Sequence, residues 1–348
     1  MIDALEGIRP ALAAVLAQHQ IPAAMIAVAH GEQAPHVWLE VPYPQAQGVA
    51  YVGTPADVLF PVASVTKLAT ALAILRAISD GLMTLDDELS LFLPLAPAAV
   101  PGVTVRRLLT HTAGLPDDLS LPAGADWIQY YPSSPMTATP GAAFSYSSVA
   151  YDLLGAVIEK VTTWPYHKFV KAAVLDSLGV SGYFGWEPTP SMNLTGFFAN
   201  NYNDPDRRFL GKASGGLITT AAGALAVGRA FAWPPNGLDV NPQLLLDARA
   251  DQTGGIAAQP GNIWLPMEPW GLGPEIRGLS AQKDNRHYSP SHAGPSSFGH
   301  FGASGSFVWC DPDVDLSFAI LSARTTGPNP WHYYAWRQVG DLIYQAAA

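Results

Sequence analysis

Ser64-Val65-Thr66-Lys67 carries the most direct chemistry in the chain: an S-x-x-K motif near the start of an apolar helical run, Phe60 to Ser79. Residues three apart on a helix share a face, so the Ser64 hydroxyl and the Lys67 amine are predicted to sit side by side. A serine needs a neighbouring base to become a nucleophile. A desolvated lysine supplies one, because burial disfavours its charged form. The bland reading is a helix-start serine followed by a surface lysine, and short motifs of this kind arise by chance. The residues after Lys67 argue against it. Leu68, Ala69, Ala71, Leu72, Ala73, Ile74 and Leu75 leave little polar face for a solvated lysine.

Four further segments belong with this pair. They are Leu108-Leu109-Thr110-His111-Thr112-Ala113-Gly114-Leu115, Pro140-Gly141-Ala142-Ala143-Phe144-Ser145-Tyr146-Ser147-Ser148, Ala213-Ser214-Gly215-Gly216-Leu217 and Gly299-His300-Phe301-Gly302-Ala303-Ser304-Gly305-Ser306. In this order, from about residue 20 to the final helix, they resemble the serine β-lactamase-like family. Its members include class C β-lactamases, D-Ala-D-Ala carboxypeptidases, D-aminopeptidases and family VIII carboxylesterases. One S-x-x-K is weak; five segments in the right order are specific.

The resemblance implies roles. Ser64 is the acylated nucleophile and Lys67 its base or proton relay. Tyr146 matches the tyrosine of the Y-x-N element, which shuttles protons to the leaving group. A phenol is a poor base at its free pKa, so charge from Lys67 is expected to lower it. His300-Phe301-Gly302 stands for the K-T-G or H-x-G element on an edge strand, where the glycine is expected to let substrate approach the backbone. The backbone amides of Ser64 and Ala303 form the oxyanion hole. Ser148, His300, Phe301 and Gly302 are expected to bind substrate. His111 is expected to be structural, and Gly215-Gly216 a close-packed turn near the floor of the site.

Two departures shape the substrate expectation. Ser148 stands where the family usually has Asn, and His300-Phe301 where it often has Lys and a small hydroxylated residue. Both weaken the grip on a β-lactam and suit a neutral ester. The reading is therefore a serine hydrolase working through an acyl-enzyme on short or medium acyl esters, with no metal or organic cofactor. A D-amino-acid peptidase or carboxypeptidase and a weak β-lactamase stay open, as do an acyltransferase and a catalytically silent penicillin-binding-like scaffold. The peptidase reading needs a cation for a terminal carboxylate, with Arg324 and Arg337 as candidates. Aromatic residues at 183 to 209 and Trp264 to Trp270 are the expected walls of an apolar pocket.

The elements that must hold these residues follow from periodicity. Ile2, Leu5, Ile8, Leu12, Val15 and Leu16 predict an opening amphipathic helix. Ala23 to Ala29 and His36 to Val41 read as strands, with Gly48 to Gly53 as a possible third. Helices are predicted over Ser148 to Val161, Pro165 to Leu178 and Trp331 to Tyr344. Phe307 to Trp309 and Leu316 to Leu321 read as strands joined by the turn Asp311-Pro312-Asp313. Strands thus lie at both ends with helices between. That predicts an α/β chain of the α+β type, one antiparallel sheet built from both termini and flanked by helices. The predicted division is residues 1–75 with 210–348 as the α/β domain and 76–209 as a mostly helical insert, the active site between them. By resemblance the fold is β-lactamase/transpeptidase-like.

Bulk properties exclude several other classes. The chain has 348 residues, 49% of them hydrophobic and only 13% charged, enough apolar surface for a large core. A formal charge of −10 without Lys/Arg clusters argues against nucleic-acid binding. No apolar run approaches a membrane span. The N-terminus shows neither a basic nor an apolar leader region, so the default expectation is cytoplasmic. Cys310 is the single cysteine and reads as a buried structural thiol. His287, His292 and His300 match no zinc spacing. Asp311, Asp313 and Asp315 read as a hairpin turn rather than a calcium loop. The partner expected is a small-molecule ester or amide; the oligomeric state stays open.

Overall fold

The computed structural model describes residues 2–40, 57–93, 100–117, 136–184, 194–196, 199, 212–258, 269–278, 288–327 and 331–348. The possible strand at Gly48 to Gly53 and the residues Trp186, Phe197, Phe198, Tyr202, Phe209, Trp264 and His287 lie outside them. Helix α1 (Ile2–Gln18) leads into strands β1 (Ala24–His30) and β2 (His36–Glu40). A short strand β3 (Phe60–Pro61) and a 3-10 turn, Ala63–Val65, precede α2 (Thr66–Ser79). The middle of the chain is helical: α3 (Leu89–Phe92), α4 (Val105–Leu109), α5 (Ser148–Thr162) and α6 (Tyr166–Val170), with a π-helical turn at Lys171–Leu175. Then come β4 (Gly182–Phe184), β5 (Leu217–Thr219), α7 (Ala221–Arg229) and α8 (Pro242–Ala248). Strands β6 (Glu275–Ile276), β7 (Phe298–Gly302), β8 (Ser306–Asp311) and β9 (Leu316–Ser322) precede α9 (Trp331–Ala347).

Six strands form one sheet in the order β2-β1-β9-β8-β7-β6, every neighbouring pair antiparallel. The N-terminal β1 pairs with the C-terminal β9 from Ala24↔Ser322 to His30↔Leu316, so the two ends of the chain share the centre of the sheet. Both faces are covered, which explains the nearly continuous hydrophobic runs of β1, β8 and β9. Ile26, Val28, Phe307, Trp309, Phe318 and Ile320 pack on Leu5, Leu12 and Leu16 of α1 and on Trp336, Val339 and Ile343 of α9. The alternate residues Met25, Ala27, Ala29, Val308, Ala319 and Leu321 face the core that includes α2, α5 and α7, and Cys310 is buried there.

A second, three-stranded sheet, β3-β5-β4, is a feature the periodicity did not reveal, because its strands are only two or three residues long. It corrects the single helical run expected over Phe60 to Ser79. Phe60 and Pro61 pair with Thr219 and Ile218, and the Val62 amide donates to the Leu217 carbonyl at 3.0 Å. The chain therefore enters α2 from a strand, through a tight turn that contains Ser64. Likewise the helix expected over Pro165 to Leu178 narrows to α6 and its π-helical turn.

Candidate active site

The turn before α2 is strained where Ser64 begins. Ala63 has φ of +46°, in the left-handed region that costs a residue with a side chain about 1–2 kcal/mol. The 3-10 turn closes through the Val65 amide to the Val62 carbonyl at 3.2 Å and the Thr66 amide to the Ala63 carbonyl. Neither bond uses the amide of Ser64. One turn on, Lys67 is fully buried. Its amine donates to Ser64 Oγ at 3.2 Å, to Ser148 Oγ at 3.3 Å and to the Ser214 carbonyl at 2.8 Å, which satisfies all three of its protons. Burial brings its pKa down to about 8, against the opposing pull of Asp117 and Asp152.

Tyr146 comes to Ser64 from the segment before α5. Its ring lies 5.0 Å from Lys67 Nζ, and its phenol is close enough to Ser64 to be influenced by it. Burial pushes the phenol well above its ordinary pKa of 10.0; Ser64 only partly opposes this. This corrects the expectation of a lowered phenol. Lys67 lies over the ring, and burial is the largest influence on the phenol. The helix that follows begins with Ser147, whose hydroxyl caps it by accepting from the Ala150 amide at 3.1 Å.

His300, Phe301 and Gly302 fall on β7, which is the second strand in from the edge; the edge strand β6 covers only Phe298 and Gly299. His300 is 1% exposed and makes an edge contact with Trp270 at 5.6 Å between ring centres. Burial, with Lys67 nearby, brings its imidazole pKa down to about 3, so it is neutral. Phe301 projects to the other face of β7, among Tyr288, His332 and Tyr333. The space a Cβ would take at Gly302 is held by the protein itself: the Val62 carbonyl and Ser306 Oγ both lie 2.4 Å from that position. The glycine therefore lets β7 meet the Ser64 turn, not a substrate. In the hairpin after it, the Gly302 carbonyl accepts from the Gly305 amide at 2.9 Å, which turns the Ala303 N–H of the same peptide unit the opposite way. That amide makes no hydrogen bond among the described residues.

Ser148 also differs from expectation. It is buried, its hydroxyl accepts from Lys67, and its amide donates to Asp117 Oδ1 at 2.8 Å. It is part of the lysine's own shell. Trp270, expected as a pocket wall, is 1% exposed and lies under Tyr146 with His111 and His300. Tyr183 lines a separate surface cleft of about 590 Å³ with Glu32, Leu59 and Arg229, which none of Ser64, Lys67, Tyr146 or His300 touches. The carboxylate-gripping candidates are committed elsewhere. Arg324 donates to the His19 carbonyl, and Arg337 donates to Ser291 Oγ at 3.0 Å. Among the described residues no group of His, Cys, Asp or Glu is arranged to hold a metal ion.

Two carboxylates near Lys67 escaped the sequence reading. Asp152 lies one turn beyond Ser148 on α5 and accepts from the Ser214 amide at 2.9 Å. Asp117 follows the Leu-Thr-His-Thr-Ala-Gly-Leu segment. No local pattern marks either, since each gains its meaning from a distant partner. The Ser214 turn itself is held as the glycine-rich sequence suggested: Thr66 Oγ1 accepts from the Leu217 amide at 3.0 Å, and Thr70 Oγ1 donates to the Ala213 carbonyl at 2.6 Å.

The profile of the Beta-lactamase family matches residues 8–340. Esterase EstB of Burkholderia gladioli is 31% identical over 338 residues, covering 81% of this chain and 83% of that protein. Among solved structures, a β-lactamase from Mycobacterium bovis aligns with a TM-score of 0.65 and 26% identity, over 97% of this chain and all of that one. EstCE1, described as a hydrolase with promiscuous acyltransferase activity, aligns with a TM-score of 0.75 over 98% of this chain and 99% of its own; at 19% identity it speaks for the fold alone.

Proposed function

We propose, from the premise that the chain belongs to the Beta-lactamase family and is a serine hydrolase, that it is a carboxylesterase acting on short or medium acyl esters through an acyl-enzyme. The observation that carries the reading is the buried contact of Lys67 with Ser64, set beside a neutral His300 where a carboxylate-binding enzyme needs a cation. The 31% identity to an esterase supports it.

In this mechanism the neutral amine of Lys67 takes the Ser64 proton as Oγ attacks the ester carbonyl. The amides of Ser64 and Ala303 stabilise the oxyanion, each such donor worth about 3 kcal/mol in precedent. Tyr146, kept protonated by its burial, donates its proton to the departing alkoxide, and the lysine ammonium restores the phenol. Water then attacks the acyl-Ser64 ester and releases the acid. Ser148 and His300 act from behind the site, and substrate meets the protein at Ser64, Tyr146 and the β7 hairpin. Ser64, Lys67, His300 and Ala303 come from the sheet-bearing part (1–75 and 210–348), while Tyr146 and Ser148 come from the helical insert (76–209). The site therefore lies where the two meet.

The test is hydrolysis of p-nitrophenyl acetate, butyrate and octanoate beside nitrocefin and a D-alanyl p-nitroanilide, for wild type and Ser64→Ala. Ester turnover that falls below about one per cent in the variant supports the reading, given the cost of losing a nucleophile. Anilide cleavage without ester cleavage moves the assignment to a D-peptidase. Activity that survives Ser64→Ala removes Ser64 as nucleophile.

A further inference from the structure

Lys67 is buried among groups that differ sharply in charge. The rings of Tyr146 and Tyr151 lie 5.0 and 5.5 Å from its nitrogen. His111 and His300 are near enough to feel its charge, and both are kept neutral by burial. Two carboxyl groups act on it: Asp117, which is exposed, and Asp152, which is 6% exposed. Lys212 also acts on Asp152, more strongly than Lys67 does. Asp152 and Lys67 hold one residue between them. Ser214 gives its amide to Asp152 at 2.9 Å and receives Lys67 on its carbonyl at 2.8 Å. A buried carboxyl group beside a buried amine is costly unless each is paired and hydrogen-bonded.

We propose that Asp152 is the buried counter-charge of Lys67 and a positioning residue for the acyl transfer. It anchors the Ser214 carbonyl that receives the lysine, and it biases the amine towards its charged form. This rests on the reading of Lys67 as the base for Ser64. It follows that Asp152 works against the neutral amine which the attack requires, in exchange for a lysine held in one place. Burial raises the Asp152 carboxyl above its ordinary value, and Lys212, the Ser214 bonds and Lys67 only partly draw it back.

The test is the titration of Lys67, followed by 13Cε NMR of lysine-labelled protein and assigned by its loss in Lys67→Met. It is run in 1 M NaCl, where the exposed Asp117 is screened but a buried pair is not. Asp152→Asn keeps an oxygen for the Ser214 amide and removes the charge. The expected result is a Lys67 midpoint about one pH unit lower than in wild type. The acid limb of kcat/KM for p-nitrophenyl butyrate should move down by the same amount. An unmoved Lys67 midpoint in folded Asp152→Asn overturns the proposal. A moved midpoint with an unmoved limb overturns its catalytic half. Should Asp152→Asn not fold, Lys67→Met gives the reciprocal measurement: the Asp152 carboxyl must then titrate at higher pH than in wild type, and an unchanged value refutes the coupling. Turnover that survives Ser64→Ala would defeat the hydrolase mechanism instead, and leaves the NMR result standing on its own.

Discussion

Tyr146 is held from both sides by a single residue. The His111 carbonyl accepts from the Ser145 amide at 2.8 Å, and His111 Nδ1 accepts from the Ser147 amide at 3.0 Å, while its ring lies 4.3 Å from the tyrosine ring. His111 itself has φ of +57°, a conformation that Asn tolerates and Phe does not. Two substitutions therefore separate ring packing from backbone anchoring. His111→Asn keeps an acceptor for the Ser147 amide and a tolerable backbone. His111→Phe keeps the ring, adds strain and strands a buried N–H, which costs about 1–3 kcal/mol. The expected outcome is that His111→Asn retains the larger kcat, with His111→Phe down about tenfold to a hundredfold and KM little changed. A larger loss in His111→Asn than in His111→Phe would mean that the ring, not the anchor, places Tyr146. Residue-scale legibility follows the same division. Ser64 and Lys67 were readable because their contact is three residues long and helical. Asp152 was not, because its partner Ser214 lies 62 positions away and nothing between them repeats. His300 and Ser148 were readable by position, but not by direction. Whether a side chain at those positions faces substrate or the protein depends on burial that only the folded chain determines.

In the proposed mechanism the Ala303 oxyanion donor is set by the β7–β8 hairpin. Ser306 Oγ donates to the Val62 carbonyl at 2.6 Å, and the Ala303 carbonyl accepts from the Thr326 amide at 2.9 Å. With Gly302 pressed on Val62 and Ala63, this latches the hairpin to the Ser64 turn. A methyl group at Gly302 would meet Ser306 Oγ, which can turn aside, and the Val62 carbonyl at 2.4 Å, which is backbone and cannot, with Ala63 Cβ at 3.1 Å behind it. Gly302→Ala is therefore expected to cut kcat about a hundredfold, in line with a displaced oxyanion donor. The protein should stay folded, at a cost of about 1–3 kcal/mol for overpacking. Steady-state kinetics beside a urea melt checks both; an unchanged kcat would show that the hairpin does not set the donor. The long elements were legible: β1, β9, α2, α5 and α9 have full apolar periodicity. The two- and three-residue strands β3, β5 and β6 were not, because no period can be read from so few positions. Yet β3 and β5 decide how Ser64 enters its helix.

The interior contains several ionisable groups whose charged form burial disfavours. Two kinds oppose each other as pH changes. His300 and His332 titrate near 3 and 4 in the folded chain, and His111 also falls well below 6.5, all through burial. The unfolded chain binds those protons first, so these histidines withdraw stability as pH falls below about 6.5. Glu275 does the reverse. It lies on β6 opposite Gly299, is fully buried, and burial raises its carboxyl well above 4.5. Its folded form keeps a proton that the unfolded chain releases, so its contribution is intact below about 4.5 and is lost as pH rises through the folded value. Glu275→Gln has nearly the same shape and no proton to lose, so the difference between it and wild type isolates this one group while the histidine contributions cancel. Between pH 5 and 7.5 wild type should lose stability relative to Glu275→Gln by up to about 1.4 kcal/mol per pH unit. Urea midpoints of the two proteins at the ends of that range measure it. Parallel midpoints would mean that Glu275 ionises in the folded chain as readily as in water. The sheet's last strand would then have to hold a buried carboxylate, with a cation paired to it.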